Sequence, residues 1–416
     1  MTRIRFQLAS GLLIAVLLPS LLRWGPKQTF THLTGIWQAQ ESMEVSLFGS
    51  ALAVIFGYVI LRHVANYPST KTEMFSLPSF AFSFAMLITL LLFFRLEYSR
   101  FQILLSFIFA VTWFAFVFMY MRQRIKLRLA VVPGGDLRNI TEIPTITWEV
   151  LRNPEADITG FDGIVADLRA DFSENWERFL AHKALQGLPV YHVKQLAESL
   201  TGRVEIEHLS ENTFGAVVPN SFYLKVKHMG DFVFALIIFP VVLVILLGAA
   251  IYIKIASPGP VLYTQKRMGY GGQIFNVYKL RSMVVATPGE EGSAITEDND
   301  PRIIAGGKFF RKFRIDELPQ IFNILKGEMS WIGPRPEALA LSEWYENEIP
   351  YYSYRHTVRP GISGWAQVQQ GHVEQVHDVK DKLYFDFYYI KNLSLWLDIL
   401  IVGKTIKTIL TGFGSK

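Results

Sequence analysis

Hydrophobic positions fall into three regimes along the 416-residue chain. The first holds four runs without a charge, residues 6–22, 45–61, 77–94 and 101–121. A helix needs about 20 apolar residues to cross a bilayer, and four runs of this length predict four transmembrane helices over residues 1–128. Arg3 and Arg5 precede the first run, Arg62, His63 and Lys71 lie between the second and third, and Arg122, Arg124, Lys126 and Arg128 follow the fourth. The other two connections offset Arg23 and Lys27 with Glu41 and Glu44, and Arg95 and Arg100 with Glu97. That bias predicts both ends of the bundle on the cytoplasmic side. The first run begins like a signal peptide but has no clear small-residue cleavage site, so it reads as a retained anchor, interrupted by Pro19.

Over residues 129–220 the apolar runs shorten. Residues 129–132, 163–167 (GIVAD) and 188–192 (LPVYH) read as strands, with helical periodicity over 174–185. Strands alternating with helices predict a small parallel sheet, a Rossmann-like α/β domain. Gly134-Gly135 follows the first strand, but the G-x-G-x-x-G turn that cradles a dinucleotide phosphate is missing. A degenerate module used for packing or regulation is the expectation.

Residues 221–416 open on another uncharged stretch, 232–253. Both flanks are basic, with Lys225 and Lys227 before it and Lys254, Lys266 and Arg267 after it, and Pro240 sits inside. A proline removes a helix hydrogen bond and favours a kink. These features predict a re-entrant helix over about 229–255 that breaks at Pro240 and returns to the face it entered. The fold class expected is therefore an α/β membrane protein with three parts.

Composition agrees: half the residues are hydrophobic and 19% charged, too apolar for an ordinary water-soluble enzyme. The chain has no cysteine, which excludes disulfides, thiolate catalysis and cysteine-ligated metals. A net charge of +5 suits anionic lipid or phosphorylated substrates, and no basic helix with base-reading side chains argues for nucleic acid.

Candidate chemistry lies in the last part. Residues 261–265 and 274–280 flank Gly269-Tyr270-Gly271-Gly272 as a β-hairpin, and Lys279 and Arg281 would share a face if the second strand continued. Alone, that pair reads equally as solvated. Ile315, Leu318, Phe322 and Leu325 recur at helical spacing, and Pro319 is tolerated in a first turn, which places Asp316 at or near an N-cap. Asp316 is then either a cap with Glu317 as a favourable first-turn charge, or a carboxylate kept ionised by the helix N-terminus, facing a phosphoryl group amid Arg302, Arg311, Lys312 and Arg314. Gly333-Pro334-Arg335-Pro336 and Arg359-Pro360-Gly361 present arginines from stiff turns, suited to bidentate phosphate contact. Asp298 and Asp300 resemble the start of a calcium loop with its later positions misplaced, and His356, His372 and His377 read as surface or substrate-rim residues. Residues 393–411 predict an amphipathic helix, either on the bilayer surface or packed on the domain.

The stretches Ser257-Pro258-Gly259-Pro260-Val261, Tyr278 to Met283, Asp316-Glu317-Leu318-Pro319-Gln320, Gly327-Glu328-Met329-Ser330, Gly333 to Pro336 and Arg359 to Gln367 resemble the bacterial sugar transferases, the monotopic phosphoglycosyl transferases. The resemblance covers nearly all of residues 225–410, and the front half resembles the family's long form only in architecture. It departs from the common pattern at Phe239, Leu280 and Arg314-Ile315, none of which is in the acidic pair. It implies transfer of a hexose-1-phosphate from a UDP-sugar, UDP-glucose or UDP-galactose by default, to undecaprenyl phosphate. Asp316 would be the nucleophile, forming an aspartyl-phosphosugar intermediate with release of UMP. Glu317 with Asp316 would hold Mg2+, and Arg311, Lys279, Arg281, Arg302, Arg335 and Arg359 would contact phosphates. The site would face the cytoplasm at the bacterial inner membrane, initiating exopolysaccharide, capsule or O-antigen synthesis, with a homodimer through the front half. The rivals are a non-catalytic scaffold of a polysaccharide-assembly complex, which would have lost the acidic pair, and a nucleotide-sugar epimerase, which would need the missing dinucleotide turn.

Overall fold

A computed structural model describes residues 4–33, 41–65, 67–68, 72–124, 127–137, 146–206, 221–284, 302–370 and 376–411. Asp298, Asp300 and His372 lie outside them. Among the described residues five helices are long and apolar enough to cross a membrane: Ile4–Gly25, Ser42–Ala65, Thr72–Phe93, Arg100–Arg122 and Ser221–Ala256. The chain divides into two compact units, Met1–Gly202 and Arg203–Lys416.

In the first unit, α1 (Ile4–Leu12) and α2 (Leu18–Leu33) are joined by a wide helical turn, Leu13–Leu17. The wider turn lies just ahead of Pro19, whose missing N–H and ring could not be fitted into an ideal helix. Helices α3 (Glu41–Ala65), α4 (Thr72–Phe93) and α5 (Arg100–Arg124) complete the apolar set. Two hydrogen bonds tie these helices together: Tyr58 Oη donates to Gln7 Oε1 at 2.8 Å, and Gln102 Nε2 donates to the Val16 carbonyl at 3.0 Å. Unpaired polar groups in hydrocarbon are costly, so such bonds fix how the helices meet.

The same unit carries four parallel strands, β1 (Leu127–Val131), β2 (Ile146–Val150), β3 (Gly163–Ala166) and β4 (Val190–His192), in the order β2-β1-β3-β4. Helices α6 (Glu174–Leu185) and α7 (Val193–Thr201) complete the α/β pattern. The strand order reverses between β1 and β3, where doubly wound folds bind ligands at the strands' carboxyl ends. Here Asp167 occupies that place: its Oδ2 accepts from Asp136 N at 2.9 Å and its Oδ1 from Arg169 N at 3.2 Å. A carboxylate of the chain itself thus satisfies the Gly134-Gly135 turn. Strand β2 has no counterpart in the sequence reading, because its five residues carry Trp148 and Glu149 and form no apolar run.

The second unit begins where the backbone at Val204 bonds to the Tyr384 carbonyl at 3.0 Å. Its first helix, α8 (Ser221–Ala256), is one continuous element of 36 residues with Pro240 inside it. The helix continues through Pro240 and does not divide into two separate arms; the proline removes one hydrogen bond and favours a bend there. One face of α8, formed by Ala235, Val242, Leu246, Ala249 and Ile253, is buried against Phe275, Val277, Leu280, Ile304, Phe310, Ile321 and Ile324. Along the opposite face Leu236, Ile237, Val241, Val244, Leu247, Ile251 and Ile255 are exposed. Both ends touch the same domain: Trp331 Nε1 donates to the Asp231 carbonyl at 3.1 Å, and Tyr252 Oη to the Ala305 carbonyl at 3.1 Å.

Strands β5 (Leu262–Met268) and β6 (Ile274–Leu280) form the expected antiparallel hairpin. Then follow α9 (Gly307–Lys312), a tight helical segment Ile315–Gln320 and α10 (Ile321–Leu325). Strand β7 (Ser330–Ile332) pairs in parallel with β8 (Gly361–Ser363). The two proline–glycine turns pack back to back here, since a Cβ on Gly333 or Gly361 would overlap the other's backbone. Helices α11 (Leu339–Glu348), α12 (Trp365–Gln370), α13 (Val376–Lys391) and α14 (Leu395–Thr411) close the unit. Of the two possibilities for residues 393–411, packing is realised: Leu397, Leu400 and Ile401 are fully buried.

Candidate active site

Three segments meet at Asp316 and Glu317. The helix expected from Ile315 onward begins instead as a 3-10 segment, Ile315–Gln320, before α10. Arg314 precedes it in the left-handed region at φ 56°, so Arg314, not Asp316, stands at the cap position. The tight turn puts Arg314 three residues before Glu317, with its Nη1 3.7 Å from Glu317 Oε1. Asn323 ties α10 to the hairpin: its Oδ1 accepts from Tyr278 N at 3.2 Å, and its Nδ2 donates to the Asn276 carbonyl at 2.7 Å. That bond fixes β6, and with it Lys279.

Glu317 is buried and surrounded by cations. Arg335 grips it with both terminal nitrogens, Nη2 to Oε1 at 2.5 Å and Nη1 to Oε2 at 3.3 Å, and Lys279 Nζ donates to Oε1 at 3.1 Å. A bidentate arginine is the strongest form of carboxylate pairing. Burial pushes the Glu317 carboxyl up, but Arg335 and Lys279 outweigh it and hold it well below the usual range. Glu317 in turn holds Arg335 firmly protonated, while burial draws Lys279 down.

Asp316 is different. Its Oδ1 is buried and has no hydrogen-bond partner. Burial, and then the neighbouring Glu317 charge, push its carboxyl up to about 6. Neither of the two readings of Asp316, a cap or a carboxylate kept ionised by a helix N-terminus, describes it: Arg314 takes the cap position, a short 3-10 segment has little dipole to give, and desolvation dominates. The result is a carboxylate whose ionised form has unspent hydrogen-bonding capacity, beside Lys279, Arg314 and Arg335.

The predicted phosphate contacts divide. Lys279 and Arg335 lie on the acidic pair. Arg281 does not: β6 ends at Leu280, and the buried Arg281 donates to the Ser257 carbonyl at 2.7 Å and the Pro258 carbonyl at 2.8 Å. It clasps the chain leaving α8, which corrects the reading that it shares Lys279's face. Arg311 closes α9 with its Nε on Ser282 Oγ at 2.9 Å. Arg302 lies beside the Met283–Ile303 bridge, its carbonyl accepting from Val284 N at 2.8 Å. Arg359 lies by the Gly327 turn, with Asp231 nearby. His356 is buried, not on a rim; burial and Arg355 push its imidazole down to about 3.

Of the four basic side chains expected around the acidic pair, Arg314 is the one placed on Glu317. One further residue near Glu317 has no part in the sequence-based site. Arg267 was signalled by the hairpin register, which pairs it with Phe275 and puts it on the face of Lys279. Its guanidinium donates to Gln265 Oε1 and the Pro336 carbonyl.

A magnesium ion takes oxygen ligands, often one or two carboxylates with substrate phosphates. Asp316 Oδ1, buried and unpartnered, fits that role. Both Glu317 oxygens are engaged by cations, so Glu317 would have to release one before binding a metal. Among the described residues no group of three or more His, Cys, Asp or Glu is arranged to hold a metal without substrate.

An acidic pair, Glu317 buried and Asp316 half-buried, is ringed by arginine and lysine at the edge of an apolar helix, and there comparison with known proteins bears. The profile of the bacterial sugar transferases matches residues 222–412. The UDP-N-acetylgalactosamine-undecaprenyl-phosphate N-acetylgalactosaminephosphotransferase of Aeromonas hydrophila is 42% identical over 408 residues, 98% of this chain and 94% of that protein. The UDP-glucose:undecaprenyl-phosphate glucose-1-phosphate transferase of Xanthomonas campestris pv. campestris is 39% identical over 222 residues, 52% of this chain and 45% of its own. The Escherichia coli (strain K12) protein of the same description is 40% identical over 194 residues, 46% of this chain and 40% of its own. The chain belongs to the bacterial sugar transferase family, a family of enzymes.

Proposed function

We propose that the protein transfers N-acetylgalactosamine-1-phosphate from its UDP donor to undecaprenyl phosphate, initiating a bacterial surface glycan. The observation that carries this is the unpartnered Asp316 Oδ1 beside a cation set anchored on Glu317. The ionised Asp316 attacks the donor's β-phosphorus, and the bond to the bridging oxygen breaks, so UMP leaves. A phosphate oxygen of the lipid then attacks the same phosphorus, the aspartyl bond breaks, and Asp316 is regenerated. Lys279, Arg314 and Arg335 neutralise the charge that builds on the phosphoryl oxygens. Magnesium, held by Asp316 Oδ1 with the donor's diphosphate, would supply further neutralisation. Glu317 acts here as the anion that assembles the cations.

The donor reading moves from the glucose or galactose default to N-acetylgalactosamine because the Aeromonas relative, named for that sugar, matches along 98% of this chain. The re-entrant path stays part of the proposal: α8 bends at Pro240 within the membrane and returns to the face it entered, the cytoplasmic face of the inner membrane. Its support is that both ends of α8 bond to one domain and its outer face is apolar.

The test is UMP release from a panel of UDP-sugars by detergent-solubilised protein with Mg2+ and undecaprenyl phosphate, beside Asp316→Asn. Release with UDP-N-acetylgalactosamine, lost in the variant, is expected. Release only with UDP-glucose would overturn the sugar; no release from any donor by folded protein would return the chain to the scaffold reading.

A further inference from the structure

The Arg335 fork can grip Glu317 only if its backbone is held, and the loop that carries it has unusual support. Four consecutive carbonyls are each caught from outside the loop. Pro334 O accepts from Gly361 N at 3.0 Å, Arg335 O from Arg355 Nη2 at 2.7 Å, Pro336 O from Arg267 Nη1, and Glu337 O from Met268 N at 3.4 Å. The donor on Arg335 itself is a side chain from the 3-10 segment Tyr352–Thr357. Arg355 is 4% exposed and Asp386 1%. Arg355 Nη2 also reaches Asp386 Oδ2 at 2.9 Å, Nη1 reaches Tyr352 Oη at 2.6 Å, and the guanidinium lies 5.1 Å from the centre of the Tyr352 ring. A planar fork fixed at three points is one of the few groups that can hold a carbonyl in place from within a core.

We propose that Arg355, oriented by Asp386, is a positioning residue for the transfer: it sets where the Arg335 guanidinium stands on Glu317, without touching substrate. The proposal rests on the transferase reading. A misplacement of about 1 Å in such a group can cost on the order of 100-fold in rate. Removing Arg355 alone strands the buried Asp386, so Arg355→Ala loses stability for reasons unrelated to catalysis. Arg355 Nη1 also lies 3.9 Å from Glu337 Oε1, which keeps Lys382 as a partner when Arg355 is removed. The informative variant therefore removes Arg355 and Asp386 together, Arg355→Met with Asp386→Leu, since a buried ion pair replaced by apolar residues of similar volume is often neutral for stability.

The experiment compares full-length wild type, this double variant, Arg335→Ala, and the triple combination, by thermal unfolding and by UMP release at varied donor. The double variant should keep its melting temperature within a few degrees and lose roughly 100-fold in kcat with little change in KM. In the Arg335→Ala background the same two changes should cost less than about threefold, because the group they position is gone. Arg355→Lys should recover little of the lost rate, since a lysine has no fork to reach both the carbonyl and Asp386. An unchanged kcat in the folded double variant, or an equally large loss with and without Arg335, would overturn the proposal. If the double variant is unfolded, Asp386→Asn takes its place with the same two criteria. Wild type that releases no UMP would instead sink the reading beneath it.

Discussion

Two aspartates in this chain end up beside glycine- or proline-marked turns, and they have opposite fates. Asp167, after β3, spends both oxygens on its own loop through Asp136 N and Arg169 N. Asp316 leaves Oδ1 buried and unpartnered while Glu317 collects Arg335 and Lys279. Buried polar groups are normally satisfied, and what marks Asp316 is an unpartnered oxygen together with the cations Lys279, Arg314 and Arg335 around it. The front sheet has the strand order of a doubly wound fold, and at its switch point Asp167 bonds to the backbone of its own loops. The rear domain keeps its acidic site open and neutralises the neighbour instead.

The sharpest way to break this comparison is Asp316→Asn. Turnover should fall by at least about a thousandfold, as for loss of a nucleophile. The same variant should gain thermal stability above pH 6. The folded carboxyl is raised to about 6, above its value in the unfolded chain, so the stability it lends is full at low pH and lost as pH rises through 6. An amide, which cannot ionise, escapes that loss; a variant less stable than wild type at pH 8 would contradict the account. For the same reason, wild-type kcat/KM without added metal should rise with pH up to about 6, roughly tenfold per unit below it, and then level.

Next in size, Glu317→Gln leaves Lys279, Arg314 and Arg335 without the anion that gathers them. Turnover should fall on the order of 100-fold, with a drop in melting temperature. Arg335→Ala and Arg281→Ala sharpen the division among the arginines. The first should lower kcat on the order of 100-fold and cost some thermal stability, since it leaves the buried Glu317 to Lys279 and Arg314; the second should chiefly lower thermal stability, because its bonds go to Ser257 and Pro258. The smallest effect belongs to Asp167→Ala. It should cost about 1 kcal/mol for each of two backbone hydrogen bonds and leave kcat untouched, measured by unfolding and UMP release side by side.

The long elements were legible because length and charge alone specify a membrane-compatible helix, and the hairpin because glycines punctuate it. What the sequence hid were events decided by tertiary contacts. Arg281 sits two positions after Lys279, and only the end of β6 at Leu280 turns its side chain to the Ser257 and Pro258 carbonyls. Arg311 has the motif position of a phosphate ligand, yet the structure ties it to Ser282. Asp316 and Glu317 were visible as a pair, but their division into an open carboxylate and a neutralised one depends on Arg335, eighteen residues on, and Lys279 across the hairpin. Pro240 signalled a division into two arms, and the helix runs on through it.

The inner face of α8 supplies Ala235, Val242, Leu246, Ala249 and Ile253 to the same core as Phe275, Val277 and Ile321. In engineering terms, anchor and enzyme are not separable parts. A truncation that starts after Ala256, intended to free the catalytic domain from detergent, would remove one wall of its interior and expose the rest. Solubility has to be gained by recolouring the outer face, at Leu236, Ile237, Val241, Val244 and Ile251, and leaving the inner one alone.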